Sequence, residues 1–207
     1  MGVSALAVSA HAQLQNGSFE NLSGFTDNSG NDTTVLNPGD TSMTGWTVVN
    51  DPLAWIGPSN PFNLFAPDGS YYLDLTSYSD YPPYGGVAQT VTTLAGHNYV
   101  LSFDLGTEGF LSAPAISASA TGTAAATYVN TSIINNDWQT FDYDFTATGS
   151  STLITLTGAT TGYTTFIGLD DVNLTDEGPS SAPDASSSFG LLSVGLAGLA
   201  GLRRKLR

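Results

Sequence analysis

Residues 98–105 read Asn-Tyr-Val-Leu-Ser-Phe-Asp-Leu, and their alternation decides the fold class. Tyr99, Leu101, Phe103 and Leu105 share one face, the period of two that marks a strand with one side in a core. The pattern recurs in Phe141, Tyr143 and Phe145, and again where Leu153 and Thr155 oppose Ile154 and Leu156. Outward from these runs, residues 14–175 are rich in Thr, Tyr, Val and Phe, with Gly, Asn, Asp and Pro at short intervals and no helical period. This texture predicts strands at 14–20, 44–49, 70–75, 86–92, 98–105, 115–120, 126–130, 138–146, 152–157 and 165–174. Ten short strands with one buried face each predict an all-β sandwich over residues 13–176. Residues 21–40 are too polar for a core and are expected to form a long functional or mobile loop. No internal repeat is evident.

Charge narrows the function. The 207 residues hold 18 Asp and Glu against four Lys and Arg, a formal net charge of −14. All four bases, Arg203, Arg204, Lys205 and Arg207, lie in the last five positions, so the body is purely acidic. Nucleic-acid affinity is built from Lys and Arg contacts to phosphate, and such a body excludes it. Carboxylates without basic partners make divalent cations, Ca²⁺ above all, the natural relief of self-repulsion. With no Cys, disulfides, thiolate metal sites and thiol nucleophiles are excluded together.

The two ends point to export. Residues 1–12 read as the rear of a signal peptide, with Ala10-His11-Ala12 as the cleavage pattern before Gln13. Residues 177–188 form a small polar linker, and 189–207 an apolar run closed by the basic cluster. The run of 189–202 would span about 21 Å as a helix, short of the roughly 30 Å hydrocarbon core. It has no polar face, however, and positive charge closes it on the side where a cytoplasmic stop belongs, so a short membrane helix is expected.

The motif Ala182-Pro183-Asp184, the serines after it, the Gly/Leu/Ala run and the basic stop of Arg203, Arg204, Lys205 and Arg207 resemble the PEP-CTERM class of bacterial sorting tails. The sequence is closer to the Val-Pro-Asp variants than to Pro-Glu-Pro. The resemblance implies a membrane-embedded exosortase-type partner, transient residence in the inner membrane, and then the cell surface or extracellular matrix. Between the ends, Asn-Gly-Ser-Phe-Glu (16–20), Gly-Trp (45–46), Pro-Asp-Gly-Ser-Tyr-Tyr-Leu-Asp-Leu (67–75), Gly-Gly-Val-Ala-Gln-Thr-Val (85–91), Tyr-Val-Leu-Ser-Phe-Asp-Leu (99–105) and Leu-Asp-Asp-Val-Asn-Leu (169–174) resemble galactose-binding-like jelly rolls. They are most similar to carbohydrate-binding modules and to the plant cell-wall family of that fold. Fold likeness leaves the ligand open.

Two groups of residues carry the chemistry. The resemblance implies that Glu20, Asp170 and Asp171 come together on neighbouring first and last strands and hold a structural Ca²⁺. If Val172 and Leu174 face inward, alternation puts Asp170 on their side and Asp171 outside, which favours Asp170 as the ligand. Trp55, Tyr78, Tyr81 and Tyr84 stand in Pro, Ser, Asp and Gly surroundings and suit the C–H faces of sugars. Trp46, Tyr99 and Trp138 are expected to fill the core. A catalytic site is poorly supported: one histidine, His97, remains beyond the signal, and no motif sets two carboxylates across a cleft. The expectation is a non-enzymatic exported protein that binds polysaccharide or another glycan. The alternatives are a structural matrix or adhesion protein without a small ligand and, third, a polysaccharide hydrolase.

Overall fold

The computed structural model describes residues 14–77, 79–109 and 113–179. Among them are eleven strands: β1 (Thr33–Leu36), β2 (Thr47–Val49), β3 (Leu53–Ile56), β4 (Tyr72–Asp74), β5 (Gly86–Thr92), β6 (His97–Thr107), β7 (Ala115–Ala120), β8 (Ala126–Val129), β9 (Asp137–Thr146), β10 (Ser151–Gly158) and β11 (Gly168–Pro179). They form a six-stranded sheet in the order β1-β3-β4-β11-β6-β9 and a five-stranded sheet in the order β2-β5-β10-β7-β8. Every pairing is antiparallel. The two sheets face each other across one core, a jelly-roll sandwich. The proposed signal segment, Tyr78, the sorting motif, the apolar run and the basic stop lie outside the described residues. Among the described residues no helix is long and apolar enough to cross a membrane.

The core forms where alternation predicted it. Tyr99, Leu101, Phe103 and Leu105 of β6 are each at most 1% exposed and meet Ile154 and Leu156 of β10 from the opposite sheet. A second, smaller core lies on the outer face of the six-stranded sheet, where the 57–71 segment covers Ala54, Ile56, Leu64, Tyr72 and Phe166. Trp138 belongs to this outer layer rather than to the main core. It is half-buried and meets Tyr72 and Phe166 edge to face at 5.8 and 6.1 Å. Its ring needs the glycines beneath it, because a Cβ at Gly106 or Gly168 would come within 2.8 Å of the indole.

Coverage of both faces explains two differences from the expected strands. All four residues of β3 are buried, Leu53 and Trp55 in the main core and Ala54 and Ile56 in the outer one. A strand buried on both sides has no apolar–polar alternation to read. Strand β1 lies within the stretch expected to be a polar loop. Thr33 and Thr34 are both buried there, with the Thr34 hydroxyl donating to the Thr26 carbonyl at 2.7 Å. Buried threonines are tolerable once bonded in this way.

The 14–20 segment, in contrast, is not a strand. Side chains hold it: Gln89 brackets the Gln15 backbone with bonds of 2.7 and 2.9 Å, and the indoles of Trp46 and Trp55 donate to the carbonyls of Asn16 and Phe19. One backbone bond, from Val172 N–H to the Gly17 carbonyl at 3.0 Å, ties it to β11.

Candidate functional site

Glu20 and Asp170 do approach the same structure, the turn at 67–71, but each uses its oxygens on backbone amides. Glu20 Oε1 accepts from the N–H groups of Ser70 and Tyr71 at 2.6 and 2.7 Å. Asp170 accepts from Asp171 N–H at 2.7 Å and from Asp68 N–H at 3.3 Å. Asp170 is fully buried, and desolvation, opposed by those amides and reinforced by the charges of Asp68 and Asp171, pushes its pKa up to about 8. The turn depends on Gly69, which has φ +68°, and a Cβ there would collide with the Glu20 carboxylate.

Alternation misplaces Asp170. A register shift separates Asp170 from Asn173 in the β11–β6 ladder, and Asp171 has φ +45°. This β-bulge resets the parity of the strand. Leu169, Val172 and Leu174 all pack on the main core, while Asp170 falls on the outer face opposite Asp104. Asp104 shares that outer face. It accepts from Thr140 at 2.6 Å, and its pKa is raised by burial and by the charges of Asp171 and Asp68.

As a metal site this end has the right atoms in an unfinished arrangement. Hard oxygens are plentiful, and Ser18, Asp68, Asp171 and Asn173 line a cleft of about 300 Å³ beside β11. Among the described residues, however, no three His, Cys, Asp or Glu side chains converge as metal ligands.

The aromatic set divides. Trp55 is 0% exposed in β3 and Tyr84 is 2% exposed, so neither offers a platform. Their loop-like sequence surroundings concealed a doubly covered strand in one case and an anchor in the other. The Tyr84 hydroxyl donates to the carbonyls of Asp80 and Gly162 at 3.1 and 2.6 Å and stitches the 76–84 and 159–167 loops together. Tyr81 is 63% exposed at the surface of that stitch, and it meets Tyr163 edge to face at 5.5 Å. Tyr163, also exposed, escapes a reading of the sequence. Its signal is one tyrosine among Thr and Gly, and nothing local places it beside Tyr81. Partial desolvation, then the charge of Asp80 and the weaker influence of Glu108, raise its pKa.

A cleft of about 150 Å³ opens on the outer face of the six-stranded sheet. Its acids are Asp74 and Glu108, and its apolar lining includes Ile56, Leu64, Phe62 and Phe166. Asp74 accepts from Thr76 N–H at 3.0 Å, from the Thr76 hydroxyl at 2.8 Å and from Ile167 N–H at 3.2 Å. Burial, with a smaller contribution from Glu108, pushes Asp74 up to about 7 against the lowering effect of those bonds. The Glu108 carboxylate is held by the Thr165 hydroxyl.

The fold is a two-sheet antiparallel jelly-roll sandwich with exposed aromatics and carboxylates on its end loops. The chain belongs to the family described as protein of unknown function (DUF642), which it matches over residues 12–172. Residues 183–206 match the VPDSG-CTERM motif, a PEP-CTERM-like sorting tail. No curated protein matches the chain. Similar solved structures include a CBM4 module, 18% identical with a TM-score of 0.43 over 80% of this chain and 100% of the other. TmCBM61 in complex with β-1,4-galactotriose is 19% identical with a TM-score of 0.47 over 81% and 100%. A family 35 carbohydrate-binding module from Clostridium thermocellum is 13% identical with a TM-score of 0.45 over 68% and 97%.

Proposed function

We propose that this chain is an exported protein of the cell surface or extracellular matrix that binds glycan through the loop end of its jelly roll. One observation carries the reading: Tyr81 and Tyr163 form an exposed aromatic pair at 5.5 Å, with Asp80, whose carbonyl accepts from Thr164 N–H at 3.0 Å, between their loops. Aromatic rings take the apolar C–H face of a sugar, and carboxylates accept from the hydroxyls at its rim. The sorting tail supports export, with an exosortase-type enzyme acting at the inner membrane on the motif that includes Pro183 and Asp184. The domain binds in this reading and does no chemistry.

Calcium belongs to the proposal. Asp68 and Asp171 carry charge that no Lys or Arg among the described residues offsets, and a divalent cation there, displacing the proton of Asp170 behind them, would tie the N-terminal segment to β11. A non-binding adhesion role has one observation in its favour. Phe65, Ile133 and Ile134 are 56%, 68% and 66% exposed, and Phe65 is joined to the 130–136 loop through Asn136 at 2.7 Å.

The test is a glycan-array and polysaccharide-retention screen of the full chain, with and without EDTA. Retention should fall about tenfold in Tyr81→Ala and in Tyr163→Ala, and EDTA should lower the melting temperature by several degrees. A cation at a hundredfold excess over its Kd adds about 2.7 kcal/mol. Retention unchanged in both variants would sink the platform, and an unchanged melting temperature after verified metal removal would sink the calcium.

A further inference from the structure

We infer that the cleft between Asp74, Glu108 and Phe62 receives a single neutral or amino sugar ring of a glycan. The inference rests on the glycan reading and names the part of the ligand that enters.

The floor of the cleft belongs to the six-stranded sheet. Asp74, Ala54 and Ile56 lie on the outer face of β4 and β3, and behind them stand the main-core residues Leu53, Trp55, Leu73 and Leu75. A ligand can therefore enter only from the solvent side. Its volume of about 150 Å³ is that of some five waters at about 30 Å³ each. That is below the roughly 300 Å³ at which pockets for drug-sized ligands begin, which limits entry to one ring.

The lining has two sides. Phe166, 1% exposed, lies inside, and Phe62, 46% exposed, stands at the mouth, so hydrocarbon faces the acids from within and from the rim. A pyranose has the matching division, a C–H face and a margin of hydroxyl donors. Carboxylates are acceptor-only when ionised, and Asp74 and Glu108 can each take sugar hydroxyls beyond the bonds they already have from Thr76, Ile167 and Thr165. Hydrocarbon lines too much of the cleft for the ring of oxygens that a bare divalent cation requires.

Charge sets the specificity. The cleft residues include two acids and no base, so an acidic sugar would bring a third carboxylate into a half-apolar space. Neutral sugars escape that cost, and an amino sugar would gain from it.

The test titrates the full chain with methyl glycosides of galactose, glucose, xylose, glucosamine and glucuronic acid. Tryptophan fluorescence is the readout, since Trp138 packs on Phe166 at the cleft wall. At least one neutral or amino glycoside should bind with one-to-one stoichiometry, the glucuronide at least tenfold more weakly. Glu108→Gln and Phe62→Ala, both at partly exposed positions, should each weaken binding at least tenfold without altering the melting temperature. Polysaccharide retention by Tyr81→Ala, measured in parallel, reports on the wider reading. If retention depends on Tyr81 while no methyl glycoside binds, or binding ignores Glu108 and Phe62, the cleft inference alone is overturned. Retention of no glycan by the parent chain overturns both. Sugar released from a polysaccharide by the parent but not by Glu108→Gln would make the cleft a hydrolytic site and overturn it as a binding one.

Discussion

Asp170 and Asp74 are two buried carboxyls on the outer face of one sheet, in neighbouring strands, with no base near either among the described residues, and they end in opposite circumstances. Asp170 is roofed by the 67–71 turn, whose amides it and Glu20 hold from two sides. Asp74 is bonded from below by Thr76 and Ile167 and opens above into a cleft shared with Glu108. Identical chemistry thus closes the turn that precedes β4 and, at the far end of that three-residue strand, faces a cleft. What covers the acid, and not the acid itself, separates structure from ligand site.

The largest expected effect tests whether the open end has structural members of its own. Tyr84→Ala should cost about 3–5 kcal/mol, the usual range for emptying a buried aromatic site, while Tyr81→Ala should stay within about 0.5 kcal/mol. Chemical denaturation of both variants decides it, and equal losses would erase the division between anchor and platform.

Next comes pH. The folded pKa of Asp170, about 8, lies above its ordinary value of 3.8, so the native state keeps a proton that the unfolded chain releases. Its contribution is therefore complete below about pH 4 and is lost as pH rises through about 8. Asp170 alone should lower stability by about 4 kcal/mol between about pH 5 and pH 9, because one proton separates the two states over some three pH steps up to about 8 at about 1.4 kcal/mol each. Asp170→Asn should flatten that fall. Asp74, pushed only to about 7, should complete its smaller share at lower pH. A parent chain whose stability rises over this range would contradict the burial of both acids.

The smallest effect compares a glycine of the 67–71 turn with one of the 159–167 loop. Gly69→Ala places a methyl against Glu20 at positive φ and should cost about 1–3 kcal/mol, whereas a Cβ at Gly162 meets nothing within 4 Å and should be nearly neutral. Comparable melting temperatures for the two variants would mean that the closed end is looser than its hydrogen bonds imply.

The sandwich, the acidic body without bases and the sorting tail were legible in the sequence because each is a local property. Alternation in β6 and β9, the position of every Lys and Arg, and the order motif, apolar run and basic stop need no knowledge of neighbours. Tertiary structure alone decided the rest. Strand β3 shows no alternation because both its faces are covered, so Trp55 looked like a loop residue. The bulge at Asp171 moved Asp170 to the other side of the sheet, since one extra residue reverses a period of two. Tyr163 and Tyr81 are 82 positions apart, and Asp74 and Glu108 are 34 apart. Their meeting is set by which loops the Tyr84 hydroxyl and the β11 pairings draw together, a long-range packing outcome that no local pattern encodes.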